Sequence, residues 1–119
     1  MARVLIVDDE ETVLETLRIL VGCDGHEVIG VTDGSKAIDI IRDDPMLDLV
    51  LTDLRMSPVS GMDVMREAKK IKPDLRIIVI SAFCDTQTIG EAQNLGCTTY
   101  LKKPFNISQV QEAIKSALS

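Results

Sequence analysis

Apolar residues along this chain follow two spacings. Short unbroken runs rich in branched residues recur, VLIV at 4–7, LVLT at 49–52 and IIVIS at 77–81, with a weaker TYL at 99–101. Runs of this length without polar alternation suit strands covered on both faces, as in a parallel sheet. HEVIGV at 26–31 predicts one further strand, nearer an edge. Between the runs the spacing becomes helical. Val13, Leu14, Leu17, Leu20 and Val21 fall on one stripe. Ala37, Ile38 and Ile41 repeat its opening before Pro45, and Met65, Ala68 and Ile71 form a third stripe that Pro73 ends. The stripe Val110, Ala113, Ile114, Ala117 and Leu118 is the cleanest, and Asn106 with Gln109 predicts a cap in front of it. The segment 85–95 is the weakest helix, with only Ile89, Ala92 and Leu95 apolar and Gly90 inside it. That glycine costs about 1 kcal/mol against alanine, so this helix is expected to be the most mobile.

Five β–α pairs with short connections imply a parallel sheet, right-handed crossovers and helices on both faces. The expected fold is α/β, a single doubly wound, flavodoxin-like domain over residues 1–119. Its five-stranded parallel sheet would be ordered 2-1-3-4-5 and carry five helices. A chain of 119 residues buries roughly two thirds of its unfolded surface and needs no disulfide or metal staple. With 45% apolar and 27% charged residues it reads as globular. Its net charge of −6, from 13 basic and 19 acidic residues, argues against direct binding of nucleic acid. No stretch approaches the roughly 20 apolar residues of a membrane span, and the N-terminal run is too short for a signal peptide. Cys23, Cys84 and Cys97 lie far apart without metal-ligand spacing, so they are expected as buried small hydrophobes in a reducing cytoplasm. The single histidine, His26, opens a strand and reads as an ordinary surface residue.

Ligands of such sheets bind outside the carboxyl ends of the strands. Asp8-Asp9 ends the first strand, Asp53 the third and Ser81-Ala82 the fourth, while Lys102-Lys103-Pro104-Phe105 follows the fifth. The order 2-1-3-4-5 brings Asp8, Asp9 and Asp53 together, and each carboxylate then raises the pKa of the others. A hard divalent cation such as Mg²⁺ relieves that repulsion, taking two carboxylates and a backbone carbonyl and leaving positions for phosphate oxygens. A lysine and a hydroxyl on flanking strands complete a cradle in which one carboxylate attacks phosphorus. Singly, each feature has an ordinary alternative. Asp8, Asp9, Glu10 and Glu11 could complement a helix dipole, Asp53 could be a turn residue, Ser81 a local hydrogen-bonder and Lys103 a solvated charge. Their shared end of one sheet argues against coincidence.

The set VDDE, LVLTDLRM, IVISA and YLKKPF resembles the receiver domain of two-component response regulators, over residues 3 to 119. The resemblance implies that Asp53 accepts a phosphoryl group from a histidine kinase or phosphotransfer protein. It implies that Asp8, Asp9, Asp53 and the main-chain carbonyl of Arg55 hold Mg²⁺; Glu10 and Glu11 keep the ordinary reading of first-turn acids that favour the helix dipole. Ser81 and Lys103 would receive the phosphoryl oxygens, and the Lys103–Pro104 bond would be cis. Tyr100 would swing inward as Ser81 moves, a switch between two packings. Arg55 and Phe83 stand where the family tunes the lifetime of the phosphorylated state. The family's DLxMPxxDG reads DLRMSPVSG here, with Pro58 one place late and Ser60 where aspartate is common, so the loop after the third strand is the main departure.

The resemblance implies a cytoplasmic signalling switch rather than an enzyme, catalysing at most its own phosphorylation and dephosphorylation. It would regulate a downstream partner or an output domain, none of which is in this chain, and a homodimer is allowed. An aspartate-nucleophile phosphohydrolase would carry DxD after the first strand and a cap, neither of which appears. A flavodoxin-like FMN carrier would not place four acids where the FMN phosphate sits. The alternative is a pseudo-receiver acting without phosphorylation, which would normally have lost Asp53, an acid or the lysine.

Overall fold

The computed structural model describes residues 2–82 and 85–119. Among these residues five strands and five helices alternate: β1 (Arg3–Val7), α1 (Glu11–Cys23), β2 (Glu27–Val31), α2 (Gly34–Asp43), β3 (Leu49–Thr52), α3 (Gly61–Ile71), β4 (Arg76–Ser81), α4 (Thr86–Asn94), β5 (Cys97–Lys102) and α5 (Ile107–Leu118). The strands form one sheet in the order β2-β1-β3-β4-β5, and every pairing is parallel.

Alternate residues of the central strands feed two cores. Val4 and Ile6 of β1, Leu49 and Leu51 of β3, and Ile78 and Ile80 of β4 point to the face covered by α1 and α5. Leu5, Val7, Val50, Ile77 and Val79 point to the face covered by α2, α3 and α4. This double burial explains the unbroken apolar runs. In α1 the buried residues are Leu14, Leu17 and Val21, a narrower line than the sequence stripe, with Val13 and Leu20 half-buried at its margins. In α4 only Ala92 is buried. Gly25 and Gly96, at φ 87° and 95°, turn the chain from α1 into β2 and from α4 into β5, a backbone conformation that costs glycine little.

The edge strand β5 begins earlier than the TYL run, at Cys97. Its register against β4 slips between Ile77 and Ile78, and the Thr98 hydroxyl donates to the Ile77 carbonyl at 3.0 Å. The burial expected of the cysteines does not hold. Cys23 is exposed and Cys97 half-buried: Cys23 is the last residue of α1 and Cys97 the first of the edge strand. Cys84 lies outside the described residues. His26 is half-buried, its Nδ1 accepting the Ala2 amide at 3.0 Å. Among the described residues no helix is long and apolar enough to cross a membrane.

Candidate phosphoacceptor site

The sheet register delivers the site residues. Val7 pairs with Thr52 and with Val31, and Ser81 with Lys102. The parallel ladder then continues one step past each strand. The Asp8 amide donates to the Val31 carbonyl at 3.2 Å, Asp53 to Val7 at 2.9 Å and Lys103 to Ser81 at 2.8 Å. Each residue is thereby fixed by its neighbour strand's backbone, so Asp8, Asp53 and Lys103 meet at one end of the sheet.

Their side chains are arranged alike. Asp8 Oδ1 accepts the Glu10 amide at 2.9 Å, and Asp53 Oδ1 accepts the Arg55 amide at 3.3 Å, each a local turn made by an aspartate on its own backbone. The other oxygens face Lys103, whose Nζ lies 3.0 Å from Asp8 Oδ2 and 3.1 Å from Asp53 Oδ2. A longer contact of 3.4 Å joins it to Glu10 Oε1. Asp8 and Asp53 are 1% and 7% exposed.

Burial pushes the Asp8 carboxyl up, against the hydrogen bond from Glu10 and the contact with Lys103; the charge of Asp53 adds a smaller upward push. Desolvation thus outranks the mutual repulsion of carboxylates that the sequence suggests. Burial would lower the Lys103 ammonium, but hydrogen bonds to Asp8 and Asp53 and their charges outweigh it and hold the group above its ordinary value. Removing one partner of a buried pair of this kind is costly, because it leaves the other charge uncompensated.

Ser81 is fully buried at the end of β4. Tyr100 is half-buried on β5, opposite Val79 and packed on the α2–α3–α4 side. The Lys103–Pro104 bond is cis, and so is Ser57–Pro58. Asp9 is exposed and falls outside the carboxylate group that the structure assembles. That group is Asp8, Glu10 and Asp53, whose oxygens, one from each, all lie within 4.8 Å of one another. An all-oxygen donor set of this kind fits a hard divalent cation. The sequence reading assigns Glu10 to the helix dipole; the signal that sets it apart is a glutamate at a position where helices prefer a short capping side chain.

The loop after β3 absorbs its departures through a cap. Ser60 is the N-cap of α3, and its side chain and that of Asp63 exchange hydrogen bonds with each other's amides. Serine does here what aspartate does at a helix start. Gly61 then passes so close to β3 that its amide donates to the Leu54 carbonyl at 2.9 Å. Phe83 lies outside the described residues.

The family model for the response regulator receiver domain matches residues 4–115. The chain belongs to that family. Among its relatives, sporulation initiation phosphotransferase F of Bacillus subtilis is 29% identical over 116 residues, covering 98% of this chain and 93% of that protein. The transcriptional regulatory protein ZraR of Salmonella typhimurium is 32% identical over 98% of this chain, which spans only 26% of ZraR. Among solved structures, the response regulator protein TrrA of Thermotoga maritima, in complex with Mg(2+)-BeF, superposes with a TM-score of 0.89 at 30% identity and covers 99% of this receiver and 100% of that chain. Receiver domains are regulators, and this one carries its family's acidic pocket.

Proposed function

We propose that this receiver is switched by transfer of a phosphoryl group onto Asp53, from a histidine kinase or a phosphotransfer protein, in a reaction that needs Mg²⁺. The observation that carries the reading is the Lys103 ammonium 3.1 Å from Asp53 Oδ2 and 3.0 Å from Asp8 Oδ2 at the carboxyl end of a parallel sheet. In the transfer an Asp53 oxygen forms the new bond to phosphorus as the donor's bond to phosphorus breaks, its electron pair leaving with the donor. Asp8, Asp9, Asp53 and the main-chain carbonyl of Arg55 would hold Mg²⁺, which supplies neutralising charge to the phosphoryl oxygens. Lys103 is placed to pair with the anion that forms, and the buried Ser81 hydroxyl to donate to it.

Pairing with a new dianion draws Ser81 and Lys103 from their present partners. Tyr100, on β5 opposite Val79, is the side chain that responds, and the second packing is read by an output domain or a downstream protein. The chain's coverage of both the phosphotransferase and part of ZraR is compatible with either arrangement. The receiver, residues 1–119 of this chain, would act in the cytoplasm without touching nucleic acid itself. A homodimer is compatible with this reading.

Incubation with Mg²⁺ and acetyl phosphate is expected to add about 80 Da, the mass of one phosphoryl group, and Asp53→Asn to abolish the gain. Intact-mass spectrometry reads both. A wild-type protein that gains no mass while a control receiver does would turn the assignment toward a phosphorylation-independent interaction module.

A further inference from the structure

Four of the five helices begin on a short side chain that accepts from the first turn: Asp33 for α2, Ser60 for α3, Asp85 for α4 and Asn106 for α5. Helix α1 begins on Glu10, which makes no side-chain cap. The cap position nearest the site has therefore been given to a residue that does not cap. Glu11, in the first turn, already supplies the acid that complements the helix dipole.

The Glu10 side chain is committed elsewhere. Its backbone is tied to Asp8 by the 2.9 Å amide bond, and its carboxylate reaches toward Lys103. One oxygen from each of Asp8, Glu10 and Asp53 lies within 4.8 Å of the others, and a cationic group already stands among them. The Lys103 ammonium is 3.0, 3.4 and 3.1 Å from those three residues. As an ion pair alone, the Glu10 contact would contribute little, since its side chain is 61% exposed. As a further carboxylate around a divalent charge it counts for more, because charge and donor number set the affinity of oxygen sites.

We infer that Glu10 belongs to the cation site, where its carboxylate is a further donor to the divalent ion and the residue that sets the site's affinity for it. The inference rests on the proposed Mg²⁺ dependence. It adds that Lys103 and the ion share Asp8, Glu10 and Asp53, so that loading the ion loosens Lys103 for its contact with the phosphoryl group.

Isothermal titration of the unphosphorylated chain with Mg²⁺ tests this, using wild type, Glu10→Gln and Glu11→Gln, each shown to be folded by a thermal scan. Glu10→Gln is expected to weaken Mg²⁺ binding roughly tenfold, the scale on which metal sites respond to a lost partner. Glu11→Gln, an equal change of charge one residue on, should stay within about twofold because its exposed charge is screened. Unchanged affinity in Glu10→Gln, or equal losses in both variants, overturns the inference. Acetyl phosphate labelling of the wild type at saturating Mg²⁺ separates the two readings. Labelling with an unaffected Glu10→Gln titration sinks the inference alone. Weakened binding without labelling sinks the phosphorylation reading and leaves the Glu10 assignment standing.

Discussion

At the scale of single residues, the site depends on how closely backbone can approach Asp53. A Cβ built on Gly61 would stand 2.0 Å from the Asp53 carbonyl oxygen and 2.7 Å from the Leu54 Cα. Neither neighbour is the loose end of a side chain, so the backbone itself must yield. The segment that would move carries Asp53 and the Arg55 amide that donates to its Oδ1. Gly61→Ala is therefore expected to cost about 1–3 kcal/mol, the usual range for overpacking, and to slow acetyl phosphate labelling as well. Chemical denaturation and labelling rates check the two halves, and a variant as stable and as fast as wild type would contradict this account of the close approach. The substitution acts through position alone, since it removes no polar group from the pocket.

At the scale of elements, the altered loop after β3 is held by the start of α3. The Ser60 and Asp63 exchange keeps the Asp63 carboxyl below its usual value, mainly through the Ser60 amide, then the Ser60 hydroxyl. A carboxylate whose folded pKa is depressed contributes stability above its unfolded pKa, and loses it as pH falls through the folded one. Ser60→Ala is expected to cost about 1 kcal/mol at neutral pH, as lost caps do. Asp63→Asn is expected to cost less, because Asp63 is about half exposed and solvent screens it. Its deficit should shrink as pH drops below the ordinary aspartate range. Urea titrations at pH 7 and at pH 3 measure the closing gap, and a deficit that stays constant or grows on acidification would contradict the sign.

For the whole molecule, legibility followed burial. Strands β1, β3 and β4 are covered on both faces, so they stand out as unbroken apolar runs, whereas right-handed crossovers fix the hand of each connection and not the strand order. The start of β5 was hidden because Cys97, Thr98 and Thr99 are half-buried or exposed around a register slip, which erases both apolar spacings. Asp8, Asp53 and Lys103 were legible because each directly follows a strand; the approach of Glu10 to them was not, because it is made through a contact with Lys103, 93 residues away. The same burial sets the order of local opening. Helix α4 rests on Ala92 alone, whereas α5 buries Val110, Ala113, Ile114 and Ala117. Few buried apolar contacts mean a low free energy of opening. Amide exchange over Thr86–Asn94 is thus expected to run on the order of tenfold or more faster than over α5 and the central strands. Hydrogen-exchange mass spectrometry resolves these segments, and protection of α4 equal to that of α5 would refute the ranking. Phosphorylation should then alter exchange first in α4 and β5, because the element that opens at least cost is the one a few new contacts at Ser81 and Lys103 can redirect.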